Sequence, residues 1–510
     1  NNALVGQGVS VVTLCYMRRY VRFLQELLDG EPGPAELSAE VATWLSDTAS
    51  ALADIRPWLG DRPVGARGRR EALERLGQAA SRYRDSVYAA TTFSGKVERP
   101  LEEVRGLLAD ALAAIDHSIR GNRRDDGAYH AYNLLDLRNG QAAIDRLYLM
   151  LEGQVAVLSS GAIGPAEAAE LLDSLFESDI YRADQHSFML YPDRPVQGFL
   201  EKNRVPEDGV REIALLRQMV DAGDERIVTR DAEGHYRFNA DFSNVGDLEA
   251  RLDTLAEAYG EAAEAARAPL RELYERVFRH REFTGRSGTM FGFEGLGCIY
   301  WHMVSKLLLA VEENFQSALE EGADEELCRR LGSLYYRVRE GLGFNKTPAE
   351  YGAFPADPYS HTPRHGGARQ PGMTGQVKEE VLSRFGELGL RVRGGAVRFD
   401  PRLLRACEFG AAPRQFRFLD VEGRWQELTV PASGLAFTWC QVPIVYRLVD
   451  RGPPSLTVTE RDGGSRTLTT PSLPAELSSE LFRRTGRIRR LSLDLPRDLL
   501  LGSDRVVSHG

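Results

Sequence analysis

The spacing of apolar residues along the chain predicts a long run of helices followed by a change of texture. From about Val9 to Leu28, apolar residues recur at Val12, Tyr16, Tyr20, Phe23 and Leu27, close to a 3.6-residue period. Pro32-Gly33-Pro34 ends that helix. A second runs from about Pro34 to Leu59 with Leu37, Val41, Trp44 and Leu45 on one face, and a third from about Arg69 to Tyr88. The stretch from Thr91 to Asn139 is mixed and polar, as in GNRRDDGAYHAYNLLDLRNG. Helix returns over Ala142–Ser160, Ala166–Phe176 and Arg211–Asp221. The pattern gives further helices over Leu248–His280, Ile299–Ala318, Glu325–Leu342 and Gln376–Gly389.

After about Leu390 the pattern becomes short runs rich in Val, Phe, Thr and Trp with turn residues between them: QFRFLDV, WQELTV, LAFTWCQVPIVYRLV, SLTVTE. That is the signature of an antiparallel β region. Helices in antiparallel succession and then a β region predict a mainly α protein. Residues 1–390 form a helical toroid of the (α/α)6 type, incomplete at its N-terminus, and residues 391–510 an antiparallel β-sandwich-like domain. In such a toroid, the loops at one end converge on a cavity.

Between the two textures lies Phe354–Glu380, with Pro355, Pro358, Pro363 and Pro371, His361 and His365, Arg364 and Arg369, and the turn Gly372-Met373-Thr374-Gly375-Gln376. No helical or strand period survives there, and long irregular stretches rich in hydrogen-bonding groups are usually functional. A glycine turn ahead of a helix offers free N–H groups to an anion, and Thr374 adds a hydroxyl. The bland alternative is that Thr374 caps the helix and the glycines only turn the chain. A second glycine-rich stretch, Thr284–Thr289, sets Arg286 beside two hydroxyls. It has no Walker ending. Phe291, Phe293, Tyr300 and Trp301 follow it and suit stacking on sugar rings as well as core packing.

Composition narrows the reading. The 510 residues carry a net charge of −10, so no basic balance exists to hold nucleic acid. Five cysteines are widely scattered, which fits reduced thiols in a cytoplasmic protein. His361 and His365 flank Pro363 off any helix, so the i, i+4 zinc arrangement fails and no metal is expected. No membrane span is expected either, since no sufficiently long apolar run occurs. The start at Asn1 rather than Met reads as a piece of a longer chain.

Candidate general acids are Glu152, Asp184 and Glu294. Glu152 and Gln154 lie inside an apolar helix, where a glutamate must be paired or face a cavity. Asp184 sits in a polar loop beside Arg182 and His186. An inverting phosphorolysis needs one acid and a bound phosphate; a hydrolase needs two carboxylates.

Several stretches resemble the cellobiose-phosphorylase-like enzymes of glycoside hydrolase family 94. LYLMLEGQVAVLSSGAI is similar to that family's Gln-x-x-Ala-Val-Leu-Ser-Gly helix, with Gln154 displaced by one place. GLGCIYWHMVSKLLLAVEE resembles its Cys-His-Ala-Asn-Pro-Trp helix, PYSHTP and PGMTGQ its Pro-Tyr-Val-Tyr and Thr-Gly-Thr-Ala stretches, and LGLRVRGGAVRFDPRLL its helix-to-β junction. The resemblance implies an (α/α)6 barrel and inverting attack of inorganic phosphate, as co-substrate, on a β-linked gluco-oligosaccharide. It implies phosphate contacts at His302, Thr374 and Gly375, with His361 a looser match. The residues themselves add Arg286 to the expected phosphate contacts and give Gln154, Trp301, His365 and Gln376 as expected substrate contacts. No cofactor is implied, and the expected assembly is a homodimer. The family's Asp-Trp-Asn-Asp-Gly-Met-Asn acid motif is absent: the general acid lies upstream of Asn1, or on another carboxylate, or the reaction is not a phosphorolysis. The competing class is a non-catalytic carbohydrate-binding or scaffolding module.

Overall fold

The computed structural model describes residues 8–60, 62–192, 198–279, 299, 301–342 and 377–500. About half of the chain is helical, and the C-terminal region is rich in sheet.

The first helix, Val11–Leu28, starts where Ser10 accepts a hydrogen bond from the Thr13 amide at 3.0 Å. Such a cap satisfies one of the orphan donors of a helix start. Just before it, Gly8–Ser10 pairs antiparallel with Tyr132–Asp136, which pairs in turn with Ala143–Arg146. The expected helix from Pro34 is a strand over Pro34–Ser38, paired with Lys96–Pro100, and then a helix, Ala39–Ile55. The helix Ala66–Ala89 packs on it. The mixed stretch hides a full helix, Leu101–Arg120, that lies antiparallel on the first. Arg105 Nη2 donates to the Leu28 carbonyl at 2.6 Å, while Arg18 Nε meets Asp116 at 2.5 Å.

Three helices run side by side in the same direction: Val11–Leu28, Leu151–Ser160 and Trp301–Glu321. The first two are aligned by contacts at both ends. The Val11 amide donates to the Ala131 carbonyl, against which Gly153 packs, and Arg18 and Arg19 reach the carbonyls of Ser160 and Ser159. The third is aligned by Asn314, whose side chain donates to the Leu158 carbonyl at 2.8 Å. Pro165–Phe176 and Glu325–Glu340 follow the second and third after short turns. They lie against each other, with Arg330 paired to Asp173. Leu151, Val157, Leu172, Val304, Leu307, Val311, Phe315 and Tyr335 fill the shared core.

Most of the apolar stripe that marks the first helix points outward. Tyr16, Tyr20, Phe23 and Leu27 are 44%, 61%, 55% and 56% exposed, whereas Val11, Cys15 and Val21 are buried. Helical period identifies an amphipathic helix but does not distinguish two apolar stripes on one cylinder.

Residues 198–279 have a core of their own, built from Leu216, Ile227, Phe238, Leu252, Leu255, Leu270 and Tyr274. The expected helix Leu248–His280 is two helices, Val245–Tyr259 and Glu261–Phe278, broken at Gly260 (φ +51°). Asn244 caps the first, with Asp247 completing a capping box.

The C-terminal sheet has five strands in the order Gly434–Trp439, Val442–Val449, Ile488–Pro496, Ser455–Glu460, Ser465–Leu468. It is not wholly antiparallel: Val442–Val449 and Ile488–Pro496 run parallel, joined through the helix Ala475–Phe482 and the strands beside it. Two hairpins, Leu390–Phe399 and Arg414–Val430, complete the region. The helix Val377–Glu387 leads into this region: Glu387, 2% exposed, accepts from the Tyr335 hydroxyl at 2.6 Å and pairs with Arg339 and Arg384. Arg384 also pairs with Glu408, and the Tyr336 hydroxyl donates to the Leu403 carbonyl, each at 2.6 Å, which binds the sheet-rich region to the helices.

Candidate functional site

The parallel helices bring their first turns to one end of the helical array. A single extended stretch ties those turns together. The Leu151 amide donates to the Leu190 carbonyl at 2.8 Å, and Met189 bridges to Ile299, just ahead of Trp301. Helix starts carry unsatisfied N–H groups and the positive end of the dipole, so this end favours anionic groups. The C-terminus of the antiparallel helix Glu325–Glu340 reaches the same end: a side chain at Gly341 would overlap the His186 carbonyl.

Glu152 occupies the first turn of Leu151–Ser160 and is half-buried. The Tyr132 hydroxyl lies near enough to interact with it. Burial, and then the Glu152 charge, push that hydroxyl well above the ordinary tyrosine range. Tyr16 is raised as well, first by burial and then by Glu313, with Glu152 adding to it. Glu313 holds Arg19 through both guanidinium nitrogens, at 2.8 and 3.1 Å. The result is a carboxylate at a helix start with Tyr132 and Tyr16 close enough to feel its charge, while the Arg19–Glu313 pair sits further along the helices, beside the Ser159 carbonyl. Sequence reasoning finds Glu152 but misses Tyr132 and Tyr16. Period alone puts Tyr16 on the apolar stripe of its helix, and Tyr132 lies on a strand within a stretch that carries no period.

His302 is the second residue of Trp301–Glu321 and shares this end of the array with Glu152. Its carbonyl accepts from the Ser305 hydroxyl at 3.1 Å. Trp301 opens the same helix.

Two of the expected residues have other partners. Gln154, expected to contact substrate, is fully buried and its amide is spent on the backbone. Its oxygen accepts from the Tyr129 amide at 2.8 Å, and its nitrogen donates to the Tyr129 and Met150 carbonyls at 2.6 and 2.9 Å. It straps the helix to residues 129–131, a demand that an apolar helical pattern does not reveal. Asp184 is 60% exposed and gripped by Arg182, with contacts of 3.0 and 2.5 Å. That hydrogen-bonded pairing lowers its pKa, the wrong direction for a proton donor at neutral pH. Glu294, Arg286, His361, His365, Thr374, Gly375 and Gln376 lie outside the described residues.

Among the described residues, Asp231, Glu233 and His235 gather metal-ligand atoms within 4.8 Å. They form the turn of a hairpin, and the Asp231 carboxylate is already taken by the amides of Glu233 and His235 and by Arg237. That occupancy favours a turn over a cation site. A cavity of about 850 Å3 lies between Gly209–Leu215 and Ala262–Arg276, with Arg138 at its edge; none of the expected site residues lines it. Among the described residues no helix is long and apolar enough to cross a membrane.

Parallel helices with antiparallel returns place the carboxylate of Glu152 and His302 at one shared end of the helical array. Residues 196–281 match the family described as GH149 phosphorylase insertion domain 2. The match coincides with the separately cored unit at 198–279. It supports a glycoside phosphorylase; family 94, which the sequence resembles, is not the family matched. No curated protein matches the chain.

Proposed function

We propose that this chain belongs to an (α/α)6-type glycoside phosphorylase that cleaves β-linked gluco-oligosaccharides with inversion, using inorganic phosphate as the nucleophile. The observation that carries the reading is the coincidence of the phosphorylase insertion match with a separately cored unit inserted into the helical array. The alternation of parallel helices with antiparallel returns is the arrangement an (α/α)6 toroid requires, and it supports that architecture for the helical part.

In this reading, phosphate is held by the positive helix ends, with His302 and the Thr374-Gly375 turn contributing donors, His361 and Arg286 beside them, and Trp301, His365 and Gln376 facing the sugar. Within the described residues, Glu152 is the candidate carboxylate left at the shared end of the helices: it is half-buried there, whereas Asp184 is exposed and paired with Arg182. Its proton would pass to the leaving glycosidic oxygen while phosphate attacks from the opposite face.

The test uses the full-length protein and a β-linked gluco-oligosaccharide, with and without phosphate. Phosphorolysis yields a sugar 1-phosphate only when phosphate is present. Reducing sugar released at the same rate in its absence defeats the phosphorylase reading. Glu152→Gln is expected to lower turnover by about 100-fold or more, the usual range for loss of a general acid. Unchanged turnover moves the acid elsewhere and leaves the reaction class standing.

A further inference from the structure

A second cleft, of about 590 Å3, lies in the sheet-rich region. The hairpin Arg414–Val430 overhangs the strands Val442–Val449, Ser455–Glu460 and Ile488–Pro496. Its rim is built by Asp420. That carboxylate accepts from the amides of Glu422 and Arg424 and from Gln426 Nε2, each at 2.9 Å. The Asp420 carbonyl accepts from Gln441 Nε2 at 3.1 Å. Gln441 is presented by a two-residue turn in which both Cys440 (φ +49°) and Gln441 (φ +64°) adopt the left-handed conformation. Neither is glycine, so the turn holds strain that the surrounding structure must sustain.

Facing this rim are two consecutive arginines. A strand normally sends neighbouring side chains to opposite faces. Here the ladder slips: Thr459 stands opposite Arg490 and Glu460 opposite Ile488, so Arg489 is an extra residue at a β-bulge. Bulges re-aim side chains, and this one brings both Arg489 and Arg490 to line the cleft. Both are exposed, and neither side chain has an ion pair or hydrogen bond among the described residues. The other two arginines of the cleft are committed: Arg424 and Arg461 both pair with Glu422, the latter at 3.0 Å.

We propose that this cleft binds a small phosphate-bearing polyol, with the phosphate across Arg489 and Arg490. Two arginines from consecutive residues, neither of them in an ion pair, offer forked donors to a phosphate dianion on the side of the cleft away from the Asp420 rim. Gln426 and Gln441 give amide hydrogens to Asp420, which leaves their carbonyl oxygens, with Thr459 and Glu427, to receive hydroxyls. The carboxylates of Asp420, Glu422 and Glu427 along the same cleft disfavour an extended polyanion, so the ligand is compact. The inference does not depend on the proposed phosphorolysis, because it concerns binding away from the helix ends.

Calorimetric titration of the full chain with glucose 1-phosphate, inorganic phosphate and glucose tests it, on wild type and on R489A/R490A. We expect a saturable glucose 1-phosphate site whose affinity falls about tenfold or more in the double variant, the scale expected when one charge-assisted hydrogen bond is removed. Glucose alone should bind at least about tenfold more weakly than its phosphate. Identical titrations of wild type and variant overturn the site, as does equal affinity for glucose and glucose 1-phosphate. Equal affinity for inorganic phosphate overturns the polyol part of the assignment. The melting temperature of the double variant, and the parallel variant R489Q/R490Q, separate impaired binding from impaired folding.

Discussion

Arg391, on the first strand after the helical array, forms an ion pair with Glu312 in the middle of the Trp301–Glu321 helix. Glu312 is 2% exposed, and Gly386 leaves the space its carboxylate fills. Burial pushes the Glu312 carboxyl up to about 7 despite Arg391, which pulls the other way. The folded protein therefore binds a proton at this site that the unfolded chain has already lost. A raised carboxyl gives stability that is full below the ordinary glutamate range and lost as pH rises through about 7. Stability should fall between about pH 4.5 and 7, and Glu312→Gln should flatten that slope in urea denaturation. Arg391→Met strands the charged carboxylate. It should cost about 3–5 kcal/mol at about pH 8 and clearly less at about pH 5.

Gln154 should behave as a structural residue. Gln154→Leu keeps most of the volume but leaves the Tyr129 amide and carbonyl buried without partners. Unsatisfied buried groups cost about 1–3 kcal/mol each, so a loss of about 2–4 kcal/mol is expected in chemical denaturation. A substrate contact would instead weaken saccharide binding at unchanged stability.

These two sites show where sequence pattern is informative and where it is not. The helical period places Val11–Leu28 and Glu325–Glu340 within about two residues of their observed ends, because each presents an apolar stripe over several turns. It misses Leu101–Arg120 because the polar run GNRRDD directly after that helix colours the whole stretch. The strand Pro34–Ser38 reads as helix because its pairing with Lys96–Pro100 is a long-range contact with no local period. At the candidate site, Glu152 is legible as a charge in an apolar helix, whereas Tyr132 is not: its role depends on a strand lying across that helix. Gln154 misleads because a buried amide looks the same in sequence whether it binds sugar or backbone.

Gly153 sets the position of Glu152. A Cβ at Gly153 would stand 3.0 Å from the nitrogen, Cα and Cβ of Ala131, tighter than nine in ten real Cβ contacts. Those contacts are mostly backbone, so the helix start must move instead. Gly153→Ala should destabilise by about 1–3 kcal/mol, the usual cost of overpacking. It should also lower turnover more than it lowers substrate affinity, because the displaced group is the neighbouring Glu152. A rise in KM with kcat intact would place the disturbance on binding and count against Glu152 as the acting carboxylate.

The unit at 198–279 should fold by itself. Its apolar residues pack chiefly on one another: Phe238, Tyr274 and Phe278 form an edge-and-tilt cluster with centroids 4.6 to 5.9 Å apart, closed over by Leu252, Leu255 and Leu270. Its polar links are internal too. Asn203 exchanges hydrogen bonds with the Phe238 backbone at 2.8 Å in both directions, and Tyr259 donates to Asp224 at 2.8 Å. Pairing with Arg226 above all, and then with Tyr259, lowers the Asp224 carboxyl to about 2. Protonation of Asp224 thus removes native contacts only in strong acid, and its contribution is kept above the ordinary aspartate range. A peptide covering residues 198–279 should show helical circular dichroism and one cooperative thermal transition at about pH 7. Asn203→Ala should lower its midpoint by several degrees, since about 1–3 kcal/mol of buried hydrogen bonding is removed from a small unit. A peptide without a cooperative transition would show that this core needs the helical array to form.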